Sequence, residues 1–447
     1  MSVPQIDSDP TLTLARGWLL LGVAALAASG LYSVLIVLLR TPGLHDLVPG
    51  ADFFRTALVV HVDLSVVIWF MALGGVLWSL RDTPRFGVWG RIALWLSAAG
   101  TALIALAPFF GAANPLLNNY IPVLRQPAFF AGLALLATGF VLLLARALLA
   151  VRPLPGRFDD EVAENVGLWS AAVLGALAMF AFAWSFAAIG DRLQGHDYFE
   201  VAFWGGGHVL QFTHTLLMLV AWAMLARACG TQITAPAMMA ALLLLAALPA
   251  LGALPIYFLK PVLSSEHRSW FTVFMKYGHL GMVPLTVLCA LAILRIRAAR
   301  QDATRHLAAA LIVSWLLFAA GGVLGFLIQG VNVVIPAHYH GSIVGVTLAF
   351  MGLTYLLLPR FGYAQPDIRL ASWQSWIYGG GQLLHILGLA WSGGYGVARK
   401  TAGAEQMLDK LPKIAGMALM GLGGLIAIIG GLLFVVIVLR AIFARRA

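Results

Sequence analysis

The chain has 447 residues, 61% of them hydrophobic and only 10% charged, with a mean hydropathy of +0.91. Soluble domains carry roughly 25% charged residues, so this composition excludes them and fits a polytopic membrane protein. The formal net charge is +10. The basic residues sit at the ends of apolar runs rather than in one patch, which assigns the charge to membrane orientation and excludes a nucleic-acid partner.

The first residues, Met1 to Thr13, are polar, with Asp7 and Asp9 and no basic stretch or small-residue cleavage site, so no cleaved signal peptide is expected. Apolar runs long enough to span follow at about 15–39, 56–80, 90–112, 126–150, 166–190, 201–227, 236–259, 268–295, 306–330, 338–358, 371–392 and 414–439. The expected fold is all-α, about twelve transmembrane helices forming one transmembrane domain over 1–447. A short N-terminal tail covers 1–14, the helices 15–439, and a short basic C-terminal tail 440–447. Most of the 28 Lys and Arg residues fall at helix ends on the N-terminal side, among them Arg81, Arg85, Arg91, Arg146, Arg152, Arg295, Arg297, Arg300, Arg360, Arg445 and Arg446. Arg40, Arg55, Arg125, Lys260 and Arg399 fall on the other side. That bias predicts that both termini are cytoplasmic. Cys229 and Cys289 form neither a metal spacing nor a disulfide framework and read as small apolar residues.

The histidines carry the chemistry. His61 lies about one turn inside the second run, His208 in the outer third of the sixth, His338 and His340 at the start of the tenth, and His385 in the outer half of the eleventh. Any one of them reads equally well as a polar residue bonded to a neighbouring carbonyl. Five at one depth on four helices need another reason, because each ionisable group in a bilayer is costly. His338 and His340 are two residues apart, so their rings point about 200° apart around a helix and face different neighbours. Neutral imidazole suits iron and copper, and haem iron takes one or two axial histidines. His61 and His340 can sandwich one haem; His338 can hold a second with one face open to a small gas, and His208 can reach a metal on that side.

The segment Arg55–Trp69, with His61 followed by an apolar run, resembles helix 2 of the haem–copper oxidase superfamily, nearest its nitric oxide reductase and cbb-type branches. His338-Tyr339-His340-Gly341 resembles helix 10, where the first histidine binds a high-spin haem and the second a low-spin haem. Leu384-His385-Ile386-Leu387-Gly388-Leu389 with Arg399 and Lys400 downstream resembles the helix 11 stretch and the basic pair that holds haem propionates. The resemblance implies a catalytic subunit with two haems, one low-spin and bis-histidine, one high-spin. It also implies NO or O2 as substrate and a cytochrome c, cupredoxin or haem-bearing subunit as electron donor. The expected location is a bacterial inner membrane.

One departure matters. The superfamily's non-haem metal takes a histidine from helix 6, which His208 matches, and an adjacent His-His pair from helix 7. Counting back from Arg268-Ser269-Trp270-Phe271-Thr272 puts Ile256 and Tyr257 there, and no His-His pair occurs anywhere in the chain. A three-histidine copper site is therefore not expected. Gln211 shares a face with His208, Phe212 stands where nitric oxide reductases carry a glutamate, and Tyr257, His267, Glu200 and Glu266 are the other candidates near that surface. They allow a mixed oxygen/nitrogen site for iron rather than copper. Lys276 and His279 on the eighth helix read as a proton path or as a packing pair, Asp63 as a partner or tuner of His61, and the Gly-Gly-Gly runs at 205–207 and 379–381 as places of close approach. Two rival readings remain: a haem electron carrier or gas sensor without catalysis, and a transporter without haem.

Overall fold

The computed structural model describes residues 10–44, 53–111, 113–150, 157–299 and 301–444. The tail residues 1–9 and 445–447, with Arg152 and Arg300 of the charge count, lie outside the described residues.

Among the described residues twelve long helices follow one another: α1 Pro10–Arg40, α2 Phe53–Arg81, α3 Gly87–Phe109, α4 Pro127–Leu149, α5 Asp160–Ile189, α6 Gly195–Ala228, α7 Pro236–Leu259, α8 Ser265–Arg297, α9 Asp302–Phe326, α10 Val334–Leu357, α11 Ile368–Gly394 and α12 Leu411–Phe443. Among the described residues eleven are long and apolar enough to cross a membrane; the exception is α11, which carries Gln374, Ser375, Gln382 and His385. A two-stranded antiparallel ribbon, β1 Pro115–Leu116 against β2 Val123–Leu124, links α3 to α4.

Several helices begin earlier than their apolar runs, because their first turns are polar and capped. Asp159 accepts from the Val162 amide (3.1 Å), Ser264 from His267 (3.1 Å) and Asp367 from Leu370 (2.8 Å). Each cap satisfies an orphan donor of the first turn. The Asn332 side chain does the same for Val334 (2.9 Å). His338 and His340 therefore lie in the first two turns of α10 rather than at its mouth. Residues Asp63–Ile68 of α2 form a π-helical segment that begins two residues after His61. Short 3-10 segments interrupt α7 at Leu248–Gly252 and α8 at His279–Met282.

The packing forms two compact units. One gathers the chain up to Ala25, Val62–Ala223 and Gln232–Leu291; the other Leu26–His61, Met224–Thr231 and the chain from Ala292 onward. In the first unit α3 and α4 touch backbone to backbone, where a Cβ on Gly100 would meet Gly132 O at 2.6 Å. The Arg146 guanidinium there bonds the Asp82 carboxylate (2.6 Å) and the Thr83 carbonyl (3.2 Å), and Arg81 pairs with Glu161 and Glu164. In the second unit α9 meets α10 at Gly321 and Gly341, and α11 meets α12 through Gly381 and Gly388 against Gly416, Gly423 and Gly430. Without a hydrophobic force between helices in lipid, such small-residue contacts let dispersion and hydrogen bonds hold them together.

A side chain on Gly423 would run into the His385 amide and into Gly381 O at 2.6 Å. Gly423→Val should lower stability by about 1–3 kcal/mol, measured by thermal unfolding in detergent. Gly380→Ala, where nothing lies within 4 Å of the new methyl, should be close to neutral.

Candidate functional site

In the second unit α1 fixes His61. The His61 Nδ1 lies 2.9 Å from Ser29 Oγ and 3.1 Å from Ser29 O, and Ser29 Oγ donates to His61 O (3.0 Å). A carbonyl only accepts, so Nδ1 carries the proton and Nε2 is the nitrogen that would meet an iron. Asp63, expected as a partner of His61, does not serve as one: it is 1% exposed and neither carboxylate oxygen has a hydrogen-bond partner.

The two α10 imidazoles part as helical spacing requires. His338 donates Nδ1–H to Gly321 O on α9 at 2.7 Å. His340 faces α11, its ring centroid 4.9 Å from that of His385. His385 donates Nδ1–H to Met420 O on α12 (3.0 Å). Around His340 lie His385, His61 and Arg40, all within electrostatic reach. Holding Nδ1–H on a carbonyl sets the tautomer and aims Nε2, as in ligating histidines.

Arg40 was not singled out by the sequence, where it reads as one more charge at a helix end. It is 9% exposed, and its Nε and Nη2 are buried without a hydrogen-bond partner. A buried cation of that kind calls for an anion. Tyr339 lies within reach of both Arg40 and Arg399. Arg399 and Lys400 are half-buried in the turn after α11, with Lys400 at φ +60°. Beside them the Gln406 Nε2 donates to Arg40 O (3.4 Å), and Arg55 pairs with Glu405 at 3.0 Å.

The first unit holds His208. Its Nδ1–H bonds Trp204 O (2.6 Å), and its buried Nε2 has no partner. The ring is surrounded by Tyr120 (4.8 Å), Trp204 (4.9 Å) and Phe271 (5.5 Å). The glycine run beside it admits these rings: a Cβ on Gly205, Gly206 or Gly207 would strike Tyr257, Phe182 or Tyr120 respectively. Tyr120 comes from the loop between β1 and β2, a segment the histidine pattern could not flag. Its phenol is pushed well above the ordinary tyrosine range, mainly by burial and then by the charge of Glu200. Glu200 also fastens that loop by accepting from the Asn119 amide (2.9 Å). The Tyr257 hydroxyl donates to Ala181 O (3.0 Å) and lies 2.7 Å from Ser185 Oγ.

Lys276 and His279 do not share a buried face. Lys276 is exposed, its ammonium 5.6 Å from the centre of the Tyr277 ring, whereas His279 is half-buried and stacks on Phe212 at 4.0 Å.

The residues of the second unit fit haem: imidazoles aimed by backbone carbonyls, and a buried guanidinium suited to a propionate. Those around His208 do not fit a non-haem metal. Tyr257 is engaged, Phe212 and Phe271 fill the neighbouring space, and His267 and His279 lie within electrostatic reach of His208 with their own Nδ1 on the Lys260 and Met275 carbonyls. Among the described residues no group of three or more His, Cys, Asp or Glu side chains could hold a metal ion. Among those residues neither the non-haem iron that the sequence allows nor copper has such a donor group.

The family model for Cytochrome C and Quinol oxidase polypeptide I matches residues 13–433. An uncharacterized protein of Rickettsia prowazekii (strain Madrid E) is 30% identical, the match covering 96% of this chain and 96% of that protein. An uncharacterized protein of Aquifex aeolicus (strain VF5) is 28% identical over 78% of this chain and 85% of its own length. A solved heme-copper terminal oxidase dimer superposes with a TM-score of 0.78 at 16% identity, covering 98% of this chain and 85% of that chain. At that identity the likeness is one of fold.

His208→Ala should leave the iron and copper content per chain unchanged by plasma mass spectrometry. Loss of one metal equivalent would instead establish His208 as a ligand.

Proposed function

Because the chain belongs to the cytochrome c and quinol oxidase polypeptide I family, we propose that it is a two-haem electron-transfer subunit that reduces NO or O2. Membership makes it an oxidoreductase-like, multi-pass membrane protein and sets aside the transporter. In the proposed arrangement His61 and His340 hold a low-spin haem and His338 a high-spin one. When bound, the two haems supply one-electron transfer and, at the open face, gas binding and reduction. The observation that carries this reading is the shared tethering of Nδ1 to a backbone carbonyl at His61 and His338.

The chain's own residues prepare the site. Ser29 sets the tautomer and tilt of His61. Gly321 O does the same for His338, from the other side of α10. Met420 O holds His385 against His340. Arg40, with Arg399 and Lys400, is proposed to bind haem carboxylates; its buried positive charge would also favour the reduced form of a nearby iron. Lys276 and His279 remain the proposed proton-path residues on α8, with His279 the half-buried member. The proposed electron donor is a cytochrome c, a cupredoxin or a haem-bearing subunit. The proposed setting is a bacterial inner membrane with both termini cytoplasmic, which the Lys and Arg bias supports.

A second reading, electron carriage or gas sensing without reduction, is favoured by one observation: aromatic rings surround His208 where a second metal would help cleave the substrate. Tyr257 and His208 are therefore proposed as groups lining the reactive side rather than as a metal site.

The test is spectroscopic. Purified protein should show two haems, one of which binds CO on reduction. His338→Ala should abolish CO binding and leave the low-spin bands; His340→Ala should remove the low-spin bands. Loss of both signals together in the His338 variant would sink the assignment. NO or O2 consumption with a chemical reductant then separates the two readings.

Arg40→Gln should lower the low-spin midpoint potential by roughly 50–150 mV, the size expected for one charge several ångströms away at an effective dielectric of about 20. A redox titration with unchanged potential would remove Arg40 from the haem environment.

A further inference from the structure

Polar side chains collect along one face of α6, within the first unit. Among the described residues α6 is the most deeply buried span, with 89% of its apolar stretch buried. Between Val201 and Trp222 only Trp204, Leu210, Gln211 and His214 are not buried. At about 100° per residue these four fall within roughly 120° of one another and line a single slot, about 15 Å long from Trp204 to His214. Thr215 to Trp222 are all buried, so on α6 the slot stops at His214, near the middle of the helix.

The slot gathers polar groups that the protein leaves unbonded. Among the described residues neither the Gln211 side-chain amide nor the His214 imidazole has a hydrogen-bond partner, and both side chains are half-buried rather than sealed. Towards the other end, Trp204 Nε1 and His208 Nε2 are buried without a partner. His208 Nδ1–H is committed to Trp204 O (2.6 Å), so its Nε2 is an acceptor. The packed helices do not supply the missing bonds. Phe70 of α2 meets the His214 ring T-shaped, with centroids 4.9 Å apart. From α8, His267 and His279 come within electrostatic reach of His208, but their Nδ1 atoms sit on Lys260 O (3.1 Å) and Met275 O (3.4 Å).

An unbonded amide or imidazole inside a bilayer is costly. Four unbonded groups on one side of one helix call for a common partner. Water both donates and accepts, so a single file of it satisfies the Trp204 donor, the His208 acceptor, the Gln211 amide and the His214 ring together. Hydrocarbon in the slot would satisfy none of them. The two half-buried members differ in chemistry. Glutamine does not titrate and serves only to hold water. Neutral imidazole takes up a proton and releases it again. His214 keeps both ring nitrogens free for that exchange, whereas His208 has one committed to a carbonyl.

We propose that the slot on α6 holds a file of water molecules, steadied by Gln211, through which His214 exchanges protons with the His208 end. A proton carried by water adds to neutral His214 to give imidazolium, and returns to water when protons are drawn from the file; no electron moves. The use of these protons rests on the proposed reduction of NO or O2, which consumes them.

The test has two arms, both on the full chain with its cofactors in detergent. Radiolytic hydroxyl labelling reads the water independently of any gas chemistry. His214 should label and the buried Phe212 should not, and Gln211→Leu should lower the labelling of His214. An unlabelled His214 would mean a dry slot and overturn the proposal, even in a chain that reduces NO or O2. A labelled His214 in a chain that reduces neither gas would support the file and remove only the proposed reduction. The second arm follows proton uptake with a pH-sensitive dye when the reduced chain is mixed with NO or O2. His214→Ala should slow uptake at least about tenfold, leave the haem bands unchanged and recover with added imidazole, which a purely structural role would not. Uptake at the parent rate would overturn the proposal. If His214→Ala fails to fold, His214→Gln, which keeps a polar side chain without a titrating group, is measured in its place and should show the same slowing; parent-rate uptake there would also overturn it.

Discussion

An imidazole inside a membrane helix must place its N–H on an acceptor, because no water is available to do so. Much of the second unit follows from that requirement. Helix carbonyls already receive one bond from their own helix, but each has a second lone pair. A side chain on another helix can reach that lone pair only where the two backbones come close. Gly321 and Gly341 bring α9 and α10 together beside the His338–Gly321 bond, and Gly388 with Gly416 and Gly423 does so beside the His385–Met420 bond. The glycines are what put carbonyl oxygens within range of imidazoles, and the imidazoles in turn hold each helix in register.

This dependence explains what could be read from sequence alone. Twelve apolar runs gave twelve helices, because spanning length and hydropathy are local properties. The five histidines stood out for the same reason, since each interrupts an apolar run. The capped first turns at Asp159, Ser264 and Asp367 escaped because an apolar window discards polar residues even when they begin a helix. Arg40 escaped for a different reason. Its burial is a property of the tertiary neighbourhood formed with Tyr339, His340 and His385, and in a count of charges by side it is indistinguishable from a solvated arginine. Ser29 is thirty-two positions from His61 and equally invisible.

The first unit teaches the converse. The absence of a His-His pair was legible, but what replaces it was not. Three consecutive glycines on α6 look like a flexible or helix-packing motif, whereas each leaves room for a different ring: Tyr257 from α7, Phe182 from α5 and Tyr120 from a loop. His208 keeps its carbonyl tether through Trp204, yet its other nitrogen is buried without a hydrogen-bond partner. The same histidine thus keeps a fixed orientation within a cage of aromatic rings. That is the physical basis for weighing a haem-only centre against the two-metal centre of its superfamily.

The π-helical segment at Asp63–Ile68 has a mechanical consequence. A π turn accommodates one extra residue within a continuous helix, and each residue turns an α-helix by about 100°. The boundary between the two packing units falls at His61 and Val62, at the edge of this segment. The half of α2 that presents His61 to Ser29 can therefore keep its rotational phase while the half carrying Trp69 and Trp78 keeps another. One helix is geared at its middle, so the imidazole can be aimed without turning the tryptophans that anchor the rest of the rod.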